Sequence, residues 1–466
     1  MPDYRSIADR IAADIAAGRL RPGQRLPPQR QFARRHGIAA STAERAYGEL
    51  VRRGLVVGEV GRGTFVRAAV PVTSGRGLIE DAGAPVNLEL NYPSVAGQSE
   101  LLADTLGPLL RPDVLTEALR PAAATGTAAA REAAAALLAT PGWRPDADRV
   151  LFTGNARQAV ATALASLVRP GGRVGVEELT YPVVKEIAAR LGITLVPLAT
   201  DEDGLRPESV AAAHRTAPLS ALYVQPTLHN PTSVTMSAER RRQLALVVGA
   251  LDIPVVEDRI WSFLAEGDDP FAAQVPALTH VVDGLSKRVA PGLTVGFLVV
   301  PRQRVEAVAD AVRSGGWSAG RFALEAATGW MTNGTVERLV RQKRADAAHR
   351  QRLLAECLAG FAVRSDPRAY YAWWELPAPW RADTFTAAAA ALGIAVPPGP
   401  SFAVDPSRTP DAVRLGLASA PAADLERALR TLADLAARGS GRSGRPSSTQ
   451  AGRPRGGLGG AGEIGR

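Results

Sequence analysis

Cysteine is almost missing from this 466-residue chain, and Cys357 is its single representative. One thiol excludes a disulfide framework and a thiolate metal site. Within the apolar-periodic run Leu353-Leu-Ala-Glu-Cys-Leu358 it reads as a small core residue, consistent with a reducing compartment. Long apolar runs are missing too. The stretch from Leu244 to Ile253 is short and is interrupted by Gly249 and Asp252, and the N-terminus lacks the basic-then-apolar pattern of an export signal. No membrane span is expected, and the expected location is cytoplasmic. Lysine is the third scarcity: against 55 basic residues there are only Lys185, Lys287 and Lys343. What remains, 46% hydrophobic and 22% charged, describes a folded chain of more than one domain.

Positive charge collects at the ends. Residues 1–67 hold 13 arginines against six acidic residues, and residues 439–466 hold five against one. A basic first domain on a near-neutral body points to a polyanion partner for that domain. Its pattern agrees. Ile7, Ile11 and Ile15 have helical spacing, a second helix is expected from Gln29 to His36 with Gly37 as its stop, and a third starts at Ser41 or the preceding alanines and runs to Arg53. Two helices across a glycine turn form a helix-turn-helix, and Leu55-Val-Val57 with Thr64-Phe-Val-Arg67 reads as a hairpin wing.

In the body, the run Val281-Val-Asp-Gly-Leu-Ser-Lys-Arg288 leads an apolar strand into Ser286-Lys287, ahead of a Pro291-Gly292 turn and a second strand. A lysine held between buried strands can have its pKa lowered, as Schiff-base chemistry with an aldehyde requires. Upstream, Ile253-Pro-Val-Val-Glu-Asp258 is a buried strand ending in an aspartate, and Tyr223-Val-Gln-Pro-Thr-Leu-His-Asn230 runs from a strand into a polar loop. Ligands of parallel sheets gather beyond the carboxyl ends of strands, so Asn230, Asp258 and Lys287 are expected to converge there. An amine, a carboxylate for a pyridine nitrogen and an amide near a ring hydroxyl are what pyridoxal 5'-phosphate requires.

On these residues the chain resembles the fold type I, aspartate-aminotransferase-like enzymes, and specifically the MocR branch of the GntR transcriptional regulators. The GntR-like segments are Leu26-Pro-Pro-Gln-Arg-Gln-Phe-Ala33, Ser41-Thr-Ala-Glu-Arg-Ala-Tyr-Gly-Glu-Leu50 and Gly61-Arg-Gly-Thr-Phe-Val66. The resemblance implies a winged helix-turn-helix over residues 1–67, a linker at 68–87 and a pyridoxal-phosphate-binding α/β body at 88–436. That body has a small C-terminal α+β lobe from about 335, and a disordered tail follows at 437–466. It implies DNA contacts by Arg30, Ser41, Thr42 and Arg45, with Arg62 at the minor groove. It further implies that Lys287 carries the cofactor, Asp258 and Asn230 hold its ring, and Tyr181 stacks on it. Gly154, Asn155 and Ala156 would cradle its phosphate, with Asn91 bordering the site and Arg414 binding a substrate carboxylate.

The chain departs from that pattern in several places. Gly284 stands where a serine or threonine is common, and Thr294 where an arginine usually binds phosphate. Ile260 or Trp261 replaces a tyrosine that would bond the ring oxygen, leaving Trp261 to pack on the ring, and Ser233 replaces a glycine. The phosphate cup is therefore thinned, with Ser286 beside it and Arg288 as a candidate substitute cation. The expected function is a homodimeric regulator that binds a double-stranded DNA operator and senses pyridoxal phosphate, an amino acid or an amine, with vestigial transamination. The alternatives are a working aminotransferase fused to a DNA-binding module, and a body that has lost the cofactor and only dimerises. No metal is expected.

Overall fold

The computed structural model describes residues 3–17, 19–20, 23–53, 55–59, 63–66, 83–405 and 408–440. At the N-terminus, helices Tyr4–Ala16, Gln29–His36 and Ala40–Arg52 pack around Ile7, Ile11, Phe32, Ala46, Tyr47 and Leu50, and strands Val56–Glu59 and Gly63–Val66 pair antiparallel as the wing. Gly37, at φ 61°, makes the left-handed stop between the last two helices, a conformation that favours glycine. Arg62 lies outside the described residues, as do 67–82, most of the expected linker. At the end of that segment Val86–Asn87 is a short strand, parallel to Ile394–Ala395, rather than free chain. Val86 and the fully buried Leu88 pack into the small lobe.

A seven-stranded sheet organises the body in the order Val150–Thr153, Gly296–Val299, Thr279–Gly284, Val255–Asp258, Ala221–Val224, Arg173–Glu177 and Thr194–Leu198. Six strands run parallel, and Gly296–Val299 alone is antiparallel to both neighbours. Most of these strands are buried on both faces, which is why they read as continuous apolar runs. Asp258, the Gly284–Lys287 turn, Asn155, Tyr181 and Gln225 all sit at or just beyond carboxyl ends of parallel strands, where such sheets leave a crevice.

The long helix Thr335–Cys357 crosses to the small lobe, and Cys357 at its end is half-buried. That lobe has the antiparallel sheet Val363–Ser365, Tyr371–Glu375 and Ala412–Gly416. Val396 to Val404 carries the pattern of a strand in sequence but does not form one. After Ile394–Ala395 the chain turns through Pro397-Pro398-Gly399-Pro400 into a short 3-10 helix, since proline has no N–H to give a ladder. The last helix, Ala422–Ser440, runs past residue 436, and Trp380 Nε1 donates to the Ala436 carbonyl at 3.1 Å. No helix among the described residues is long and apolar enough to cross a membrane.

Candidate functional site

One cavity at the sheet's carboxyl edge gathers side chains from eight separate segments. Lys287, in the helical turn Leu285–Arg288, points its amine at the Asn91 carbonyl, 2.7 Å away. The same amine lies 4.0 Å from the Tyr92 ring centroid and 5.1 Å from that of Trp261. Burial, reinforced by the nearby Arg157, Arg414 and Lys343 charges, pushes the Lys287 amine well below its usual range. Such a shift favours the unprotonated, nucleophilic form of the amine.

Asp258 ends its strand across the same cavity. Its carboxylate accepts from Tyr223 Oη at 2.7 Å, Gln225 Nε2 at 3.0 Å and the Ile260 N–H at 3.1 Å. Burial raises its pKa, and these donors pull against that rise. Gln225 is itself fixed, because its N–H donates to Glu177 at 3.0 Å and its Oε1 accepts the Asn230 N–H at 3.2 Å. Asn230 is buried with its side-chain oxygen unpartnered, and the Asn91 Nδ2 is buried and unpartnered as well.

Arg414 enters from the small lobe, in the strand Ala412–Gly416 opposite Trp373. Its guanidinium donates to the Glu89 carbonyl, lies 5.3 Å from the Phe402 ring, and keeps Nε without a partner. Among the described residues no carboxylate reaches ion-pair distance of it. A buried guanidinium left this way has the fork of donors that a carboxylate can accept from bidentately. Burial brings its pKa down to about 10, so it stays cationic at neutral pH.

At the other side, Asn155 caps the helix Ala156–Leu167, its Oδ1 accepting from Gln158 N–H at 3.0 Å. Asn155 and Ala156 line the cavity, whereas Gly154 is not among the lining residues. Ser286 Oγ and Thr294 Oγ1 are 3.0 Å apart and satisfy each other. At Gly284 an added Cβ would come within 2.9 Å of the Val295 carbonyl, so this backbone has no room for the family's hydroxyl residue. Ser233, in the glycine position, adopts φ 61° and donates to the Tyr371 carbonyl at 2.9 Å.

On the helix Ala40–Arg52, the second of the helix-turn-helix, Ala43, Ala46, Tyr47 and Leu50 face the core, leaving Ser41 and Arg45 exposed one turn apart, with Thr42 half-buried beside them. Arg30 is exposed on the preceding helix. Arg52 and Arg53 instead clasp Glu49, and Arg53 reaches Asp9 as well.

Comparison with known proteins decides what this arrangement belongs to. Residues 120–432 match the aminotransferase class I and II family, and residues 3–66 match the bacterial regulatory proteins of the gntR family. The HTH-type transcriptional regulator YdeF of Bacillus subtilis is 30% identical over 419 residues, 89% of this chain and 90% of its own. The chain belongs to the MocR branch of the gntR regulators. This MocR-type protein is also 25% identical to the pyridoxine biosynthesis transcriptional regulator PdxR of Corynebacterium glutamicum, over 76% of this chain and 78% of that one. Its body shares the fold of the α-aminoadipate aminotransferase LysN of Thermus thermophilus, with TM-score 0.71 at 19% identity, covering 80% of this chain and 96% of that one.

Within this MocR-type body the structure brings together Lys287, Asp258, Asn230, Asn91, Tyr181, Trp261, Asn155, Ala156, Ser286 and Arg414. It does not bring Arg288 to them. Lys287 and Arg288 are successive residues of one helical turn and so project about 100° apart. Arg288 turns into the interior, pairing with buried Asp283 at 2.5 Å and lying 5.3 Å from the Phe263 ring. Arg157, Gln225 and Tyr223 were given no role by the resemblance, and Tyr92 entered only as part of the segment Asn91-Tyr-Pro-Ser94 that borders the site. Only the arginine directly after the Gly154-Asn155-Ala156 turn carried a signal in sequence, as a cation at a helix start.

Proposed function

We propose that this regulator binds pyridoxal phosphate in the cavity around Lys287 and uses it to register an amino acid or amine, altering how a dimer engages its DNA operator. The carrying observation is the facing pair of Lys287 and Asp258 in one cavity, with Arg414 left without an ion pair among the described residues. The donor set fits the group: an amine whose pKa burial lowers, a buried carboxylate held by three donors, and an unpartnered amide oxygen on Asn230.

When bound, pyridoxal phosphate supplies an aldehyde for condensation with an amine and an electron-withdrawing ring. The chain's residues supply the rest. Lys287 offers the amine, steadied by the Asn91 carbonyl. Asp258 holds a proton on the pyridine nitrogen, and Tyr223 and Gln225 keep its charge in place. Tyr181 and Trp261 wall the ring from water, and Arg414 takes a ligand carboxylate. Arg414 rides on the small lobe while Lys287 and Asp258 belong to the large sheet. A carboxylate-bearing ligand thus favours lobe closure by its differential contacts.

The test is operator binding by purified protein, titrated with and without pyridoxal phosphate, beside a visible absorption spectrum and a borohydride-trapped mass at position 287. The expected result is a cofactor-dependent shift in DNA affinity that Lys287→Ala abolishes. DNA binding indifferent to cofactor and amines, with no adduct at Lys287, refutes the reading. Rapid turnover of an amino donor with a keto acid would instead favour a working aminotransferase.

A further inference from the structure

We infer that Arg157 is the cationic anchor for the cofactor's phosphate monoester, supplying from a helix start the charge that position 294 lacks. This rests on the proposed reading of the pocket. The two other sources of that charge are closed. Thr294 is neutral and its hydroxyl is occupied by Ser286 at 3.0 Å and the Val295 carbonyl at 3.3 Å. Arg288 is committed to Asp283 inside the body.

Among the described residues, two guanidiniums line the cavity, Arg157 and Arg414, and neither has a carboxylate within ion-pair distance. Arg157 donates only to Tyr92 Oη, at 3.3 Å. It sits in the first turn of the helix Ala156–Leu167, where the backbone dipole disfavours a cation, and it adds its charge to a cavity that already holds the Arg414 guanidinium. That crowding is unfavourable in the free chain. An anion with two charges relieves it, and a tetrahedral oxyanion suits the free N–H groups of a helix start capped by Asn155. Arg414, on the small-lobe strand, is left for a carboxylate. Phosphate and carboxylate therefore take separate arginines.

The probes are pyridoxal phosphate and pyridoxal, which share aldehyde and ring and differ only in the phosphate. Visible-absorption titration of the full chain should show wild type preferring pyridoxal phosphate. Arg157→Met should lose roughly tenfold to a hundredfold in affinity for it while binding pyridoxal as before, the scale of one charged hydrogen-bonding contact. Arg157→Lys, which keeps the charge, should recover part of the preference. An Arg157→Met protein with the wild-type ratio, or with both affinities lowered equally, overturns the assignment and leaves the pocket reading intact. A wild type that captures neither aldehyde overturns both.

Discussion

Lys343 Nζ donates to the backbone carbonyls of Lys287, at 3.0 Å, and Val289, at 2.7 Å. One of the chain's three lysines thus holds the turn that presents another, from the helix Thr335–Cys357 that leads into the small lobe. Its side chain is fully buried, and burial brings its pKa from 10.5 down to about 7. The folded state therefore binds fewer protons than the unfolded chain between those values. Stability from this group is greatest above pH 10.5 and is lost progressively as pH falls towards about 7. Lys343→Met should flatten that slope in thermal melts taken from pH 7 to pH 10. It should also destabilise at pH 9 by roughly 2–5 kcal/mol, since two buried carbonyls lose their donor. A melting profile parallel to wild type would show that Lys343 does not titrate in the fold.

Glu177 has the opposite sign. Burial pushes its carboxyl up from 4.5 to about 7, so the fold binds a proton there that the unfolded chain releases, and stability falls as pH rises from 4.5 through 7. Glu177→Gln keeps an oxygen for the Gln225 N–H and mimics the protonated form. It should melt with wild type at pH 5 and above it at pH 8, checked by calorimetry at the two pH values.

Asp258→Asn removes the charge opposite Lys287 and presents an amide to the Tyr223 hydroxyl and Gln225 amide, which now donate to it. Retention of pyridoxal phosphate should fall about tenfold to a hundredfold, as for the loss of a charged hydrogen bond. Dialysis followed by absorption spectroscopy measures it, and unchanged retention would remove Asp258 from the pyridine contact.

Arg414→Met should separate ligand classes. Response to an amino acid should weaken about tenfold to a hundredfold, while response to the corresponding amine without a carboxylate stays at the wild-type level. The readout is operator binding in the presence of each ligand with cofactor supplied. Equal loss for both ligands would mean that Arg414 serves the lobe rather than the carboxylate.

Arg45→Ala should cost DNA affinity roughly 1–3 kcal/mol and relax preference at one base position, because Arg45 lies free on the exposed face of the reading helix. Arg52→Ala should change binding little, since its guanidinium is held by Glu49. Fluorescence anisotropy on a single operator and its point variants distinguishes the two.

Much of the architecture was legible because it is local. Helix spacing at Ile7, Ile11 and Ile15, the glycine stop at Gly37 and the apolar runs ending in Asp258 and before Lys287 each report on a few neighbouring residues. They misled where local apolarity met proline, between Val396 and Val404, and where a strand needed a partner from far away, as Val86–Asn87 does in Ile394–Ala395.

The sequence by itself determined the order of elements, the DNA-reading module and the lysine, aspartate and asparagine of the pocket, since each depends on short-range pattern. Tertiary structure alone decided how charges were shared out. Arg288 went to Asp283, Arg157 and Arg414 were left in the cavity with no carboxylate among the described residues at ion-pair distance, and Lys343 was set behind Lys287 from 56 residues away. Adjacent side chains on a helix diverge, and whether a buried charge finds a partner depends on what the fold packs against it.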